Sequence, residues 1–259
     1  MNPLPILQTV LLSYAAIQRH WQSLLVGLVI PAACISIIGL ATAELPANPL
    51  YALAELAISA PFYVLFAVVC HRTVILGSDS LPNRFGIFWS ERELRFVGWS
   101  VALFLLMLVI AFFVGFFLAA AAQAIPEGPL PILFYLVIWF GFTYLYTRLS
   151  MLFPATAIDE RTNFERAWRL SDRNGIRMVA VGLLTAGPFA ALFFVVVYLL
   201  PGGFLTSVVA EVLAHILTMV GVVAVSITYR QLIRIELDQF GGPRGGPPAQ
   251  APPKDPSDD

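Results

Sequence analysis

Six apolar stretches, each about as long as a membrane-spanning helix, constrain the fold of this chain more than any other feature. They cover residues 21–43, 50–71, 96–122, 130–146, 178–200 and 204–229. A helix of ~20 apolar residues crosses the ~30 Å hydrocarbon layer of a bilayer. Apolar residues make up 59% of the chain and charged residues only 12%, whereas soluble domains are nearer half apolar and a quarter charged. The sequence therefore predicts an all-α polytopic membrane protein with six transmembrane helices.

The basic residues predict the orientation of these helices. All fifteen lysines and arginines lie in four of the seven segments outside the apolar stretches, and the segments between those four contain none. Cationic loops are retained on the cytoplasmic side of a membrane. The pattern therefore predicts a multi-pass protein of the bacterial inner (plasma) membrane with both termini in the cytoplasm. The basic residues form separate interfacial patches, so no nucleic-acid partner is expected.

The connections on the other side are short, at 44–49, 123–129 and 201–203. Short connections join antiparallel neighbours, so we expect the six helices to pair as three hairpins.

Three units are expected along the chain. Residues 1–20 predict an interfacial amphipathic helix, in which Leu7 and Leu11 lie on an apolar arc and Thr9 and Ser13 lie opposite. Residues 21–240 form the six-helix domain, and the Gly- and Pro-rich residues 241–259 predict a disordered cytoplasmic tail. A cleaved signal peptide is the alternative for the N-terminal region, because residues 41–43 resemble a small-x-small cleavage site.

Interfacial helices are also expected before the third and fifth spans. Ser90 with Glu93, and Thr162 with Glu165, have the spacing of a capping box. The second, fourth and sixth spans also end alike, each closing on an arginine. This similarity suggests a threefold repeat of interfacial helix, span, turn, span and arginine.

Glu211 and His215 are the leading candidates for a site inside the membrane. Ionisable residues within a span are costly and are functional candidates by default, and these two lie one turn apart on one helix face. They can form half of a proton relay or a polar pair that fastens the sixth helix to a neighbour. Pro31, Pro61 and Pro188 lie near the middle of their spans and can kink them.

The arginines beside the membrane are candidates for contact with anionic lipid head groups, which basic interfacial clusters attract. The alternative is that they only set the orientation of the chain. The candidate residues are Arg72, Arg92, Arg95, Arg148, Arg166, Arg169, Arg173 and Arg230.

Motifs of familiar enzymes are absent from the sequence. The three histidines are scattered, without the spacing of a metal site, and there is no nucleophile elbow, phosphate loop or dinucleotide fingerprint. We therefore expect a non-enzymatic protein that uses no metal and no cofactor.

One region resembles a known group of proteins. Residues 147–159 read Thr-Arg-Leu-Ser-Met-Leu-Phe-Pro-Ala-Thr-Ala-Ile-Asp, and residues 164–171 read Phe-Glu-Arg-Ala-Trp-Arg-Leu-Ser, with Asn174 beyond. This pattern resembles uncharacterised bacterial six-helix membrane proteins and the related membrane domain fused to some glycerophosphoryl diester phosphodiesterases. The resemblance implies the six-helix architecture and no particular activity.

Together these observations predict a lipid-contacting scaffold or accessory subunit of the inner membrane. Its expected partners are membrane lipids, with anionic head groups at the cytoplasmic face, and other membrane proteins or further copies of the chain. The alternative function is a small solute or proton-coupled transporter that uses Glu211, His215 and the proline-kinked spans.

Overall fold

The fold is known from a computed structural model, which describes residues 3–42, 48–81, 89–122, 129–201 and 203–240. These residues form helices and turns, with no strand among them. The α-helices are α1 (Ile6–Thr42), α2 (Pro49–Leu76), α3 (Glu91–Ala122), α4 (Pro129–Leu149), α5 (Leu152–Ala157), α6 (Phe164–Leu170), α7 (Gly175–Leu199) and α8 (Phe204–Phe240). The tail at 241–259 lies outside the described residues.

Six helical segments are long and apolar enough to cross a membrane, which confirms the number of spans. They belong to α1, α2, α3, α4 continued into α5, α7 and α8. Their outer faces carry large exposed apolar side chains, for example Phe112 at 70% and Phe117 at 66% exposure. Water-facing surfaces rarely carry apolar patches of this extent. The chain is therefore a multi-pass, all-helical membrane protein.

The N-terminal region and the first span form one helix. Residues 1–20 are predicted to form an amphipathic helix that leads into the first span, and α1 runs without a break from Ile6 to Thr42. No glycine or proline interrupts the chain between Ile6 and Val26, so nothing favours ending the helix there. At 1.5 Å per residue its 37 residues span ~55 Å, more than the ~40–45 Å of a whole bilayer. Part of α1 must therefore project beyond the hydrocarbon layer.

The polar face expected for this region is not directed to solvent. Thr9 and Ser13 are fully buried, whereas Leu7 and Leu11 are exposed. The two hydroxyls can be buried because each donates to the backbone carbonyl four residues earlier. Thr9 donates to Pro5 O at 2.7 Å, and Ser13 donates to Thr9 O at 2.8 Å. The interfacial position of this segment stays a prediction.

The predicted capping boxes are half right. Glu93 accepts from the backbone N–H of Ser90 at 2.8 Å, as expected, but the Ser90 hydroxyl accepts from Arg92 N at 3.3 Å. The helix then continues to Ala122, so this cap opens the third span itself.

A short separate helix, α6, does precede the fifth span, but its cap is Asn163 rather than the expected Thr162. The Asn163 side chain accepts from Arg166 N at 2.8 Å. Asparagine is as good a cap as serine and better than threonine, and its position allows the first turn to start one residue later.

Helix α8 lies at the centre of the packing. It contacts α1, α2 and α7, while α1 also packs against α2 and α7. Helix α4 packs mainly against α7, and α3 packs against α5 and α2. One buried apolar cluster joins the N-terminal end of α1 to α5, α6 and the C-terminal half of α8, and a second joins α1, α2 and the middle of α8.

Hydrogen bonds between distant segments gather the helix ends that carry the arginines. Leu4 N donates to the Asn174 carboxamide oxygen at 2.8 Å, and Arg177 donates to Leu4 O at 3.1 Å. Arg230 donates to Val74 O at 3.2 Å. We call this side of the molecule the arginine end. It comprises the starts of α1, α3 and α7, the ends of α2, α4 and α8, and all of α5 and α6. The opposite side is the far end.

We predict that replacing Gly175 by alanine destabilises the protein. A Cβ atom there would lie 2.8 Å from Tyr144 Cζ, and the Tyr144 hydroxyl accepts from Arg148 at 3.3 Å, so the ring cannot move without disturbing that bond. Overpacking of this kind costs about 1–3 kcal/mol. Gly141→Ala is the control, since a Cβ at Gly141 meets nothing within 4 Å. Thermal unfolding in detergent should show a lower Tm for Gly175→Ala only, and equal Tm values would contradict the packing described.

Candidate functional site

A large cleft opens between α2, α3, α4, α5, α7 and α8. Its volume is about 570 Å³. Along α2 it extends from Leu56 to His71, a distance of ~22 Å at 1.5 Å per residue. That is about three-quarters of the ~30 Å hydrocarbon layer. The walls are mainly apolar and include Val64, Met178 and Val225.

Small residues keep the cleft open on two of its sides. Gly182 and Ala186 face it from α7, and Gly221 and Ala224 face it from α8. A Cβ atom built on Gly182 or Gly221 would have no neighbour within 4 Å. The width of the cleft therefore follows from the absence of large side chains at these positions.

An aromatic group lines the cleft toward the arginine end. The rings of Phe96 and Phe153 lie 4.9 Å apart, and His71 lies 6.1 Å from Phe96. One nitrogen of the His71 ring is satisfied, because Nδ1 lies 2.7 Å from the Ser226 hydroxyl. That hydroxyl donates to Val222 O, so it accepts from His71, and Nδ1 carries the hydrogen.

Three of the predicted head-group arginines converge on the carboxylate of Asp159, just beyond the aromatic group. Arg72 and Arg92 contact Oδ2 at 3.3 and 3.0 Å, and Arg95 contacts Oδ1 at 3.1 Å. Asp159 has φ of 65°, a left-handed conformation that aspartate adopts more readily than most residues. We call these four residues the arginine cluster.

The arginine cluster carries a positive surplus. Glu93 is the second carboxylate in contact with it, accepting from Arg92 Nε at 3.0 Å. Three arginines against two carboxylates leave a net charge of +1. Arg95 is about half exposed, whereas Arg72 and Arg92 are largely buried. Arg95 is thus the member best placed to reach a group outside the protein.

Chain connectivity places the arginine cluster at the rim of the cleft. Arg72 directly follows His71, and Arg92 lies one helical turn before Phe96. Asp159 follows the short helix that carries Phe153. The residues that position the charges therefore adjoin the residues that line the cavity.

Arg148, another predicted head-group contact, is held inside the protein instead. It is 4% exposed and donates to Ser171 Oγ at 3.0 Å and to Trp168 O at 2.7 Å. Its guanidinium lies 3.6 Å from the centroid of the Trp168 ring. We assign Arg148 to fixing α6 against α4, because these contacts leave it almost no surface to offer a lipid.

The remaining predicted arginines are not gathered into the cluster. Arg166 contacts Glu160 at 3.6 Å, and Arg169 contacts Glu165 at 3.8 Å. Others of the set are Arg173, which contacts Asp172, and Arg230, which bonds Val74 O. The three arginines that close the even spans each donate to a backbone carbonyl of another segment: Arg72 to Ala157, Arg148 to Trp168, and Arg230 to Val74.

Glu211 and His215 share a face of α8, as predicted, and line a second, smaller pocket of about 80 Å³. His215 Nδ1 lies 2.9 Å from Glu211 O and 3.7 Å from Glu211 Oε1. Ser36 of α1 donates to the same carboxylate at 3.3 Å. Pro31 of α1 and Tyr63 of α2 complete the side of the pocket opposite α8.

Several of these features could not be predicted from the sequence. Asp159 belongs to the region of resemblance but carries no motif of its own, and its arginine partners lie 64 to 87 positions away. Ser36 and Tyr63 carry no motif. The glycines within the fifth and sixth spans were the one signal that could have indicated the cleft, since a glycine inside a helix often marks a packing or functional need.

Comparison with known proteins finds no matching protein family, no matching curated protein and no matching solved structure. The resemblance to six-helix bacterial membrane proteins therefore stays a prediction. In the described parts of the chain, no three His, Cys, Asp or Glu residues are placed to hold a metal ion.

We predict that Asp159→Asn destabilises the arginine end. Asparagine tolerates the same backbone conformation, but it removes the charge that three guanidinium groups share and replaces one of the two accepting oxygens by an NH₂ donor. The expected cost is about 1–2 kcal/mol, above that of a single exposed ion pair. Asp79→Asn is the matched control, because Asp79 is exposed and contacts only Ser78 in the described structure. If chemical unfolding in detergent shows the same decrease in the free energy of unfolding for both variants, the cluster does not stabilise the fold.

Proposed function

We propose that this protein is a non-enzymatic integral membrane protein that binds an anionic phospholipid, with an acyl chain in the cleft and the phosphate at the arginine cluster. The observation that carries the proposal is the apolar cleft of about 570 Å³ within the spans. Binding of this kind suits a scaffold or accessory subunit that holds lipid against partner proteins.

The lining of the cleft argues for an apolar occupant. Water is a poor filler, because each buried water needs two to four polar partners and the walls are mainly apolar. A lipid chain needs no polar partner.

The charge at the rim argues for an anionic head group. Guanidinium groups bind phosphate through paired N–H donors, and the arginine cluster keeps a surplus of +1 after its own carboxylates are counted. A basic residue near a membrane surface contributes ~1 kcal/mol toward anionic lipids. Arg95 is the exposed member from which such a contact would start.

The orientation we propose follows from the same charges. The arginine end lies at the cytoplasmic face of a bacterial inner membrane, with the start of α1 and the end of α8 on that side. The spans form three hairpins, α1 with α2, α3 with α4, and α7 with α8. The starts of α1 and α3, together with α6, lie in the interface.

A second candidate function is transport of a small solute or of protons. It is favoured by one observation, the pocket that Glu211 and His215 line roughly halfway along the membrane-spanning part of α8. Flux measurements in vesicles with His215→Ala would test it, and unchanged flux would exclude a transport role for this residue.

We predict that Gly182→Leu reduces the lipid that copurifies with the protein. The added side chain enters open space in the cleft, so it displaces an acyl chain without forcing the helices apart. Gly141→Leu is the control, because Gly141 is exposed on α4 and has the same open surroundings. Lipid extracted from equal amounts of each purified protein should fall several-fold for Gly182→Leu alone. Equal retention by the two variants would contradict lipid binding in the cleft.

We predict that Arg95→Gln weakens the preference for anionic lipid. The loss should be about fivefold in affinity for phosphatidylglycerol, which corresponds to ~1 kcal/mol, and smaller for phosphatidylcholine, whose choline group offsets the charge of its phosphate. Arg169→Gln, at an exposed arginine on α6 paired with Glu165, should have no such effect. Native mass spectrometry with titrated lipid gives both affinities. An equal loss for both lipids, or an equal loss in both variants, would remove the head-group assignment.

A further inference from the structure

We propose that the pocket between α1, α2 and α8 binds a small cation that donates N–H hydrogen bonds, namely ammonium or a primary alkylammonium ion. The proposal goes beyond lipid binding and does not depend on it. It assigns a small cation to the Glu211–His215 pair, whereas the cleft and the arginine cluster are assigned to a lipid.

The tautomer of His215 is set by its own helix. Its Nδ1 lies 2.9 Å from Glu211 O, and a carbonyl oxygen can only accept, so Nδ1 carries the hydrogen. In the neutral ring Nε2 is then a bare acceptor. His215 is only 8% exposed, and Nε2 is buried without a hydrogen-bond partner among the residues that the structure describes. A buried acceptor without a donor is costly, so this atom favours a ligand that donates.

The negative charge around the pocket favours a cationic ligand. Glu211 accepts from Ser36 at 3.3 Å, and Glu55 accepts from Thr42 at 3.0 Å nearer the far end. Every arginine in the described structure lies at the arginine end or in the first half of α1, so no arginine pairs with these carboxylates. The His215 imidazole lies beside the Glu211 carboxylate, with Nδ1 3.7 Å from Oε1, and it balances that charge only when the ring is protonated. A carboxylate within a span is expensive unless it is paired or protonated. The described part of the far half thus presents two acids and an imidazole nitrogen without a hydrogen-bond partner.

The dimensions limit the cation to a few heavy atoms. The pocket holds about 80 Å³, equal to two or three water molecules at ~30 Å³ each. Tyr63 and Phe66 line it and offer aromatic faces of the kind that attract cations. Thr218 also lines it, and its hydroxyl donates to Ala214 O.

The donor set favours N–H over a metal ion. Hard cations such as Mg²⁺ and Ca²⁺ prefer oxygen ligands, so an imidazole nitrogen suits them poorly. Transition metals favour imidazole but need three or more protein ligands at a typical site, and the described residues gather no such group. An ammonium ion uses both acceptors, with one N–H toward His215 Nε2 and another toward the Glu211 carboxylate.

The test is thermal unfolding of the full chain in nanodiscs with ammonium chloride or methylammonium chloride, compared with sodium, potassium and tetramethylammonium chloride at matched ionic strength. Only the two N–H donors should raise Tm, in a saturable manner, because a ligand that binds the folded state stabilises it. Glu211→Gln should lose the response, whereas Glu165→Gln, an exposed acid on α6, should keep it.

A second pair of variants keeps the outcome clear. His215→Leu removes the bare acceptor and should also lose the response; if it does not fold, Glu211→Gln decides. Gly182→Leu should respond normally, which separates this pocket from the lipid cleft. An equal rise with sodium or potassium, or an unchanged response in Glu211→Gln, would overturn the proposal.

Discussion

The high cost of leaving a charge unpaired in hydrocarbon governs this structure. Outside the first half of α1, the described arginines lie at one end of the bundle, where the hydrogen bonds between distant segments also concentrate. Arg72 shows the principle: it donates to Ala157 O, to Ser80 O and to Asp159, so one side chain joins the end of α2 to the segment after α5. The arginine end is therefore both the most polar and the most firmly joined part of the fold.

The far end has the opposite charge distribution. There the described helices carry carboxylates and hydroxyls without an arginine partner, as in the contacts of Ser36 with Glu211 and of Thr42 with Glu55. Between the two ends, small residues on α7 and α8 leave a wide apolar cleft. Lipid binding at the rim and cation binding in the small pocket are thus separate consequences of one charge distribution. An acyl chain suits the uncharged middle, a phosphate suits the arginine surplus, and a cation suits the isolated acids.

The sequence predicted the class of fold well because hydropathy and chain length are local properties. The six spans and the shared face of Glu211 and His215 needed only a helical period and a bilayer thickness. The continuity of α1 and the choice of Asn163 as a cap depend on small differences between neighbouring residues, which patterns do not resolve. The convergence of arginines on Asp159 and the cleft itself depend on how distant helices pack, and one sequence contains no direct record of that.

The central claim, that an acyl chain occupies the cleft, is tested most directly by photo-crosslinking. Phosphatidylglycerol with a diazirine in its acyl chain would be incorporated into nanodiscs with the full chain, irradiated, and the modified residues identified by mass spectrometry. The account predicts adducts on residues that line the cleft, such as Met178 and Val222, and their suppression by excess unlabelled lipid. Adducts confined to outward-facing residues such as Phe112 and Leu183, with none in the cleft, would contradict it.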